Sequence, residues 1–254
     1  MKLSFRTLGE GVPLVILHGL FGSADNWQTV GKALSEKFKV YLVDQRNHGN
    51  SPHSDAFNYD LLVDDLNELI DGEGHNNVIL IGHSMGGKAA MNFAVKYPEK
   101  VDKLIIVDIG PKQYPPHHEN IFDGFKSIEL SKIASRKEAD EQLSAAIPDF
   151  GVRLFILKNL TRDDAGNFIW KINLGSLENN ATEVGRALNP NDIYNGQTMF
   201  IGGGNSNYIK AEDEEMILRH FPQARIEMIT GSGHWVHAEK PKEFYDLVLD
   251  FLSK

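Results

Sequence analysis

Residues 78–87 read Val-Ile-Leu-Ile-Gly-His-Ser-Met-Gly-Gly, and a stretch of helix-like composition follows them at 88–97. An apolar run, a Gly-x-Ser-x-Gly motif and a helix in this order predict a sharp strand-to-helix turn with Ser84 at its tip. The glycines on either side allow the close backbone approach that such a turn needs. At a helix N-terminus, negative charge developing on a reacting oxygen is stabilised. Ser84 is therefore the candidate nucleophile, the alternative being a glycine-rich turn with an incidental serine.

Outward from this turn, short apolar runs alternate with segments of helical period, which predicts a mostly parallel sheet with helices on both faces. After Pro111 the alternation stops, and it resumes near residue 196. We therefore predict an α/β core formed by residues 1–111 and 196–254, with residues 112–195 inserted as a helical lid after the strand that ends at Asp108. Strands are predicted at 14–17, 40–43, 78–81, 104–107, 198–201 and 226–229, and core helices at 27–35, 59–71, 88–97 and 241–252.

The composition excludes several classes of function. The 254 residues carry a formal net charge of −9 without a run of Lys or Arg, so nucleic acids and anionic membrane surfaces are disfavoured as partners. No cysteine is present, which excludes thiolate catalysis and cysteine metal sites. The N-terminal alternation is strand-like rather than a signal peptide, and no apolar run reaches membrane-spanning length. We expect a cytoplasmic monomer or homodimer.

A serine nucleophile needs backbone donors that stabilise an oxyanion. The first predicted strand is followed by the glycine-bracketed loop His-Gly-Leu-Phe-Gly at 18–22. One donor is expected from the amide of Phe21 or Leu20, with a slight preference for Phe21, and the second from Met85, the residue after the serine. An ordinary strand-to-helix turn is the alternative for this loop.

Among the 10 histidines, His234 fits the role of the base best, because it lies in Gly-Ser-Gly-His-Trp at 231–235, between the last strand and the last helix. His237 is expected to be structural. His18 and His83 stand beside glycines, so packing or hydrogen bonding to the backbone is expected for them. Clustered metal ligands are absent from the sequence. Four further histidines show no partner pattern and are expected to be solvated: His75, His117, His118 and His220.

The acid that orients the base is not at its usual place in this sequence. The loop at 202–207 reads Gly-Gly-Gly-Asn-Ser-Asn and holds no carboxylate, and the next acidic residues, Glu212 and Asp213, belong to a charged helix-like run. Asp108 instead ends a predicted strand, and the carboxyl ends of strands in an open α/β sheet face the ligand crevice. We assign the acid to Asp108, with Ser206 as a hydrogen-bonding helper; a capping role for Asp108 is the alternative.

Four blocks of the sequence, at 17–23, 44–51, 82–87 and 231–234, resemble the α/β-hydrolase superfamily, and within it the small bacterial acyl esterases and thioesterases of the YbfF type. The resemblance covers nearly the whole chain but is weak at 112–195. It implies an eight-stranded core with a helical lid, hydrolysis of carboxylic ester or thioester bonds, and no cofactor. An acid at the Asp108 position with a serine at the Ser206 position also resembles that group. The block at 46–51 is expected to be structural, with a substrate contact as the alternative.

These residues predict a serine hydrolase that works through an acyl-enzyme intermediate, with His234 oriented by Asp108 as the base for Ser84. Its substrate would be a small acyl ester or a thioester such as an acyl-CoA. A carbon-carbon bond hydrolase or lyase on the same scaffold is the alternative, and a ligand-binding receptor is a further one. The candidates for the substrate pocket are the aromatic residues of the predicted lid: Phe122, Phe125, Phe150, Phe155 and Trp170.

Overall fold

The computed structural model describes residues 1–116 and 118–254, which fold into a central sheet between two layers of helices. His117, predicted to be solvated, lies outside the described residues. The strands are β1 (Ser4–Leu8), β2 (Val12–Leu17), β3 (Phe38–Asp44), β4 (Val78–His83), β5 (Val101–Val107), β6 (Leu160–Arg162), β7 (Phe168–Trp170), β8 (Gln197–Gly203) and β9 (Ala224–Ile229). The α-helices are α1 (Gln28–Leu34), α2 (Tyr59–Gly72), α3 (Met85–Lys96), α4 (Glu119–Lys126), α5 (Arg136–Ser144), α6 (Phe150–Leu157), α7 (Leu174–Asn179), α8 (Ala181–Val184), α9 (Glu214–His220), α10 (Val236–Glu239) and α11 (Pro241–Leu252).

Seven of the described strands form the main sheet, in the order β1-β3-β2-β4-β5-β8-β9, and β6 pairs separately with β7. Within the main sheet only β1 is antiparallel to its neighbour. The predicted mostly parallel sheet is confirmed, but the expected number of eight strands is wrong for the described residues. Only residues 9–11 separate β1 from β2, because positive φ angles at Gly9 and Gly11 turn the chain directly from the edge strand to the centre.

The central strands are buried on both faces, since successive side chains enter two different apolar cores. Val15 and Leu17 of β2 belong to the core that α2 and α3 cover, whereas Leu14 and Ile16 belong to the core that α1 and α11 cover. Because these strands pair in parallel, their carboxyl ends lie at one edge of the sheet. At this edge β4 leads into Ser84.

The predicted core helices are observed with small shifts at their ends. The side chain of Asn58 accepts a hydrogen bond from the Leu61 amide at 2.9 Å and caps the N-terminus of α2. Helix α3 begins at Met85 rather than Lys88, because the Lys88 amide already donates to the Ser84 carbonyl at 3.0 Å. The predicted helix at 27–35 begins with a 3-10 turn, Ala24–Trp27, that precedes α1.

The segment between β5 and β8 carries α4 to α8 and the antiparallel pair of β6 with β7. A fully buried lysine of α3 joins its two ends: Lys88 Nζ donates to the carbonyl of Lys112 and, at 2.9 Å, to that of Arg186. Burial lowers the pKa of Lys88 to about 7, and the positive charges of Lys112 and Arg186 act in the same direction. The ends of this segment are thereby fastened to the helix that follows Ser84.

Lys88→Met should change how the stability depends on pH. The pKa of Lys88 is about 7 in the folded protein and near 10.5 when unfolded, so the unfolded chain binds more protons between these values. Below pH 7 the burial penalty is fully present, and the free energy of unfolding rises as the pH increases through this window. Denaturant titrations from about pH 6.5 to 9.5 should show that Lys88→Met removes a slope on the order of 1 kcal/mol per pH unit.

The matched control is Lys37→Met, at an exposed lysine, which should keep the slope of the wild type. Equal slopes in the wild type and Lys88→Met would show that Lys88 does not titrate in this range.

Candidate active site

Ser84 lies at the turn between β4 and α3 in a backbone conformation that is strained for a serine, with φ 52° and ψ −118°. The turn requires the flanking glycines. A Cβ atom on Gly82 would lie 2.3 Å from the Gly86 carbonyl oxygen, and one on Gly86 would lie 2.5 Å from the carbonyl oxygens of Leu17 and His18. All these neighbours are backbone atoms, and moving them would cost much free energy. The motif spacing is therefore a packing requirement of the turn.

The carboxylate of Asp108 and the imidazole of His234 are in direct contact, although 126 residues separate them in the chain. His234 Nδ1 lies 2.7 Å from Asp108 Oδ2. Asp108 follows β5 with a positive φ of 48° and is fully buried, and His234 lies in the loop after β9. A neutral imidazole donates its Nδ1–H in this bond, so Nε2 keeps the lone pair that a base requires.

Further donors satisfy the buried carboxylate. The Gly203 amide donates to Asp108 Oδ1 at 3.0 Å, and Ser206 Oγ donates to Asp108 Oδ2 at 2.5 Å. A buried charge is tolerated only when such hydrogen bonds replace its hydration. The other acids weighed in the sequence lie elsewhere: Asp213 pairs with Lys112 at 2.5 Å, and Glu212 is exposed.

The loop at 18–22 borders the serine, since a Cβ atom on Gly19 would lie 3.2 Å from Ser84 Cβ. The Phe21 amide donates to His48 Nε2 at 3.2 Å and is therefore occupied. Within residues 1–116 and 118–254, the amides of Leu20 and Met85 have no hydrogen-bond acceptor. The slight preference for Phe21 thus falls on an amide that a histidine from a distant loop already occupies, whereas the Leu20 amide is available as a donor.

Two buried neutral histidines hold this loop in place. His48 Nδ1 donates to the Arg46 carbonyl at 2.9 Å, which leaves Nε2 as the acceptor for Phe21. His18 Nε2 accepts from the Gln45 amide at 3.0 Å. Burial lowers the pKa of His18 to about 4 and that of His48 to about 3. The block at 46–51 therefore contributes a support for the loop beside Ser84.

A cavity of about 250 Å³ opens next to Ser84 and His234, with a mostly apolar lining. Several of its lining residues are not among those predicted from the sequence. The Tyr208 ring stacks on the His234 imidazole, with ring centroids 4.0 Å apart, and Trp235 directly follows this histidine. Its position next to the predicted base is the one local feature of the sequence that could have identified Trp235 as a cavity-lining residue. His118 and Ile121 also line the cavity, although His118 was expected to be solvated.

Of the five aromatic residues predicted to form the substrate pocket, Phe155 lines this cavity, where its ring lies 5.5 Å from that of Trp235. The other four do not. Phe122 and Phe125 are buried against Phe21, at ring distances of 5.0 and 5.4 Å. The Trp170 ring contacts Phe125 at 4.8 Å, and Phe150 is 59% exposed. The sequence showed where these residues occur but not which face of each element meets the core.

Four further histidines of the described residues have structural roles. His237 stacks on Trp27 with ring centroids 3.9 Å apart, and His83 Nε2 lies 2.9 Å from the His234 carbonyl. His220 is buried and His75 lies 2.7 Å from the Tyr41 hydroxyl, so neither is simply solvated. In the described part of the chain, no cluster of three or more His, Asp or Glu side chains could hold a metal ion. None of the helices in these residues combines the length and the hydropathy of a membrane-spanning segment.

Comparisons with known proteins agree with this arrangement of elements. A family model described as the alpha/beta hydrolase fold matches residues 12–241. The chain is 39% identical to the Mus musculus "sn-1-specific diacylglycerol lipase ABHD11", with 100% of this chain and 86% of the relative covered. It is 36% identical to "Esterase YbfF" of Escherichia coli, with 100% of both chains covered. A solved structure described as "Marine microorganism esterase" matches with a TM-score of 0.96 and 42% identity, covering 98% of this chain and 99% of that one.

His48→Gln should make the protein less sensitive to acid. The pKa of His48 is about 3 when folded and 6.5 when unfolded, so between these values the unfolded chain binds more protons. The free energy of unfolding therefore falls as the pH decreases below 6.5. Glutamine does not titrate and can still accept a hydrogen bond from the Phe21 amide. Between about pH 6 and 4, the free energy of unfolding of His48→Gln should therefore fall less steeply than that of the wild type, by roughly 1.4 kcal/mol per pH unit.

The comparison is made by denaturant titration, with His53→Gln at an exposed histidine as the matched control. If His48→Gln and the control behaved alike, His48 would not be held neutral in the folded protein.

Proposed function

The chain belongs to the α/β-hydrolase family, and we propose from its site that it is a serine hydrolase that cleaves carboxylic ester bonds. The observation that carries the proposal is the 2.7 Å bond between His234 and the buried Asp108, beside a strained Ser84 that lines the same cavity as His234. A nucleophile, a base and an orienting acid are the groups that acyl transfer requires. The relatives described as an esterase and a diacylglycerol lipase support ester bonds as the target.

In the proposed mechanism, His234 Nε2 takes the proton of Ser84 as Oγ attacks the acyl carbonyl carbon. The amides of Leu20 and Met85 donate to the carbonyl oxygen as it becomes negative. The imidazolium, stabilised by Asp108, then gives its proton to the leaving oxygen, which departs as an alcohol. Water, deprotonated by the same imidazole, attacks the acyl-enzyme; the acid leaves, and Ser84 Oγ regains its proton.

A thioester presents the same carbonyl to the same groups, so we include small acyl thioesters, such as an acyl-CoA, among the proposed substrates. Residues 112–195 would act as a lid, because Phe155 and Ile121 of this segment line the cavity opposite the core. The proposed function needs only groups of the protein itself and a water molecule.

Ser84→Ala should abolish ester hydrolysis. Loss of the nucleophile leaves only the contribution of binding and of the oxyanion donors, so kcat for p-nitrophenyl acetate should fall by about 10³-fold or more. The release of p-nitrophenol is followed with the wild type as reference, and a thermal melt verifies that the variant is folded. Turnover equal to that of the wild type would exclude Ser84 as the nucleophile.

Asp108→Asn should lower kcat by roughly 10²- to 10⁴-fold with little change in fold, because an amide favours the wrong imidazole tautomer. Ser206→Ala should cost less, since it removes one hydrogen bond worth about 0.5 to 1.5 kcal/mol. Glu212→Gln, at an exposed acid, is the matched control and should keep wild-type kcat. A strong loss of kcat in the control together with a near-normal Asp108→Asn would show that Asp108 is not the acid that orients His234.

A further inference from the structure

A second, much smaller cavity of about 20 Å³ also borders Ser84. A site that holds one water needs roughly 10 to 15 Å³ by the same measure, so this cavity has room for little more than a methyl or ethyl group. Met85 and Ile109 line it from the core. The residues that line it from the segment between β5 and β8 are mostly apolar: Tyr114, Pro115, Pro116, Ala181 and Val184.

The walls of this smaller cavity are fastened by hydrogen bonds, which limits its expansion. The Tyr114 amide donates to the Gly185 carbonyl at 2.8 Å, and the Tyr59 hydroxyl donates to the Val184 carbonyl at 2.6 Å. Two residues after Val184, the Arg186 carbonyl accepts a hydrogen bond from Lys88 Nζ at 2.9 Å. Enlarging the smaller cavity would therefore break the hydrogen bonds that Lys88 of α3 makes with both ends of residues 112–195.

The two cavities share Ser84, His118 and Tyr208 but differ in one decisive residue: His234 lines the larger cavity and does not line the smaller one. The leaving oxygen must receive a proton from the imidazole, so it has to lie within hydrogen-bond reach of His234. The leaving group of a substrate bound at Ser84 therefore lies in the larger cavity. The smaller cavity remains for the other substituent of the carbonyl carbon, which is the acyl chain.

We propose that the preferred substrates are esters of very short acyl groups, acetyl or propionyl, with a bulky apolar alcohol that occupies the larger cavity. This proposal rests on the proposed serine-hydrolase function and adds the division of the substrate between the two cavities. The rings of Phe155 and Trp235 provide an apolar surface for the alcohol. Longer acyl chains would have to displace the fastened wall at Val184, and overpacking of this kind is unfavourable.

The test varies the two halves of the substrate separately. In one series the alcohol is constant, 2-naphthol, and the acyl group is acetyl, butyryl, hexanoyl or octanoyl. From acetyl to butyryl, and again at each longer step, kcat/KM should fall by about tenfold or more, because each of these longer acyl groups exceeds the smaller cavity. In the other series the acyl group is acetyl, and kcat/KM should rise from ethanol to 2-phenylethanol, two leaving groups of similar acidity that differ in apolar bulk. A rise in kcat/KM from acetyl to octanoyl at constant alcohol would overturn the proposal.

Val184→Ala enlarges the smaller cavity and should raise the ratio of kcat/KM for butyryl over acetyl by about tenfold. Ile121→Ala, in the wall of the larger cavity, is the matched control and should change that ratio by no more than about twofold. Thermal melts verify that both variants are folded, and if Val184→Ala is not, the wild-type series decides. An equal change of the ratio in both variants would contradict the division of the substrate.

Failure of this proposal is distinguishable from failure of the proposed function. Hydrolysis of long-chain esters that depends on Ser84 would overturn only the assignment of the acyl chain to the smaller cavity. Absence of Ser84-dependent hydrolysis for every ester in both series would overturn the proposed function as well.

Discussion

The arrangement of the site depends on the hydrogen bonds that the buried carboxylate of Asp108 accepts. It accepts hydrogen bonds from Gly203 at the end of β8, from Ser206 in the next loop and from His234 after β9. One side chain thus joins three separate parts of the chain at the carboxyl edge of the sheet. Because an unsatisfied buried carboxylate is very unfavourable, these parts are held in one mutual geometry.

The strained turn at Ser84 supplies the second fixed point. Its positive φ is sustained by the contacts of Gly82 and Gly86 with neighbouring backbone, and α3 begins directly behind it. The loop at 18–22 is then positioned by His48, which is buried and neutral. The proposed division of a substrate between two cavities follows from these fixed points, because Ser84 borders both cavities and His234 borders one.

Features that depend on local sequence could be predicted, whereas features that depend on packing could not. The turn at Ser84 follows from glycine spacing, and Asp108 was selected because the loop at 202–207 lacks a carboxylate. The choice between Leu20 and Phe21 depends on His48, a contact that no local pattern indicates. The aromatic residues of 112–195 were visible in the sequence, but their burial is set by which helix faces meet. The eighth strand was expected from the resemblance alone, and the described residues form a main sheet of seven strands.

The most direct test of the central claim, that Ser84 is an activated nucleophile, is peptide mapping after reaction with a fluorophosphonate. The wild type should carry one phosphonate on the peptide that contains Ser84, formed in a time-dependent reaction, and His234→Ala should react far more slowly because its serine lacks a base. An unlabelled wild type that still hydrolyses esters, or an adduct on another residue, would contradict the assignment.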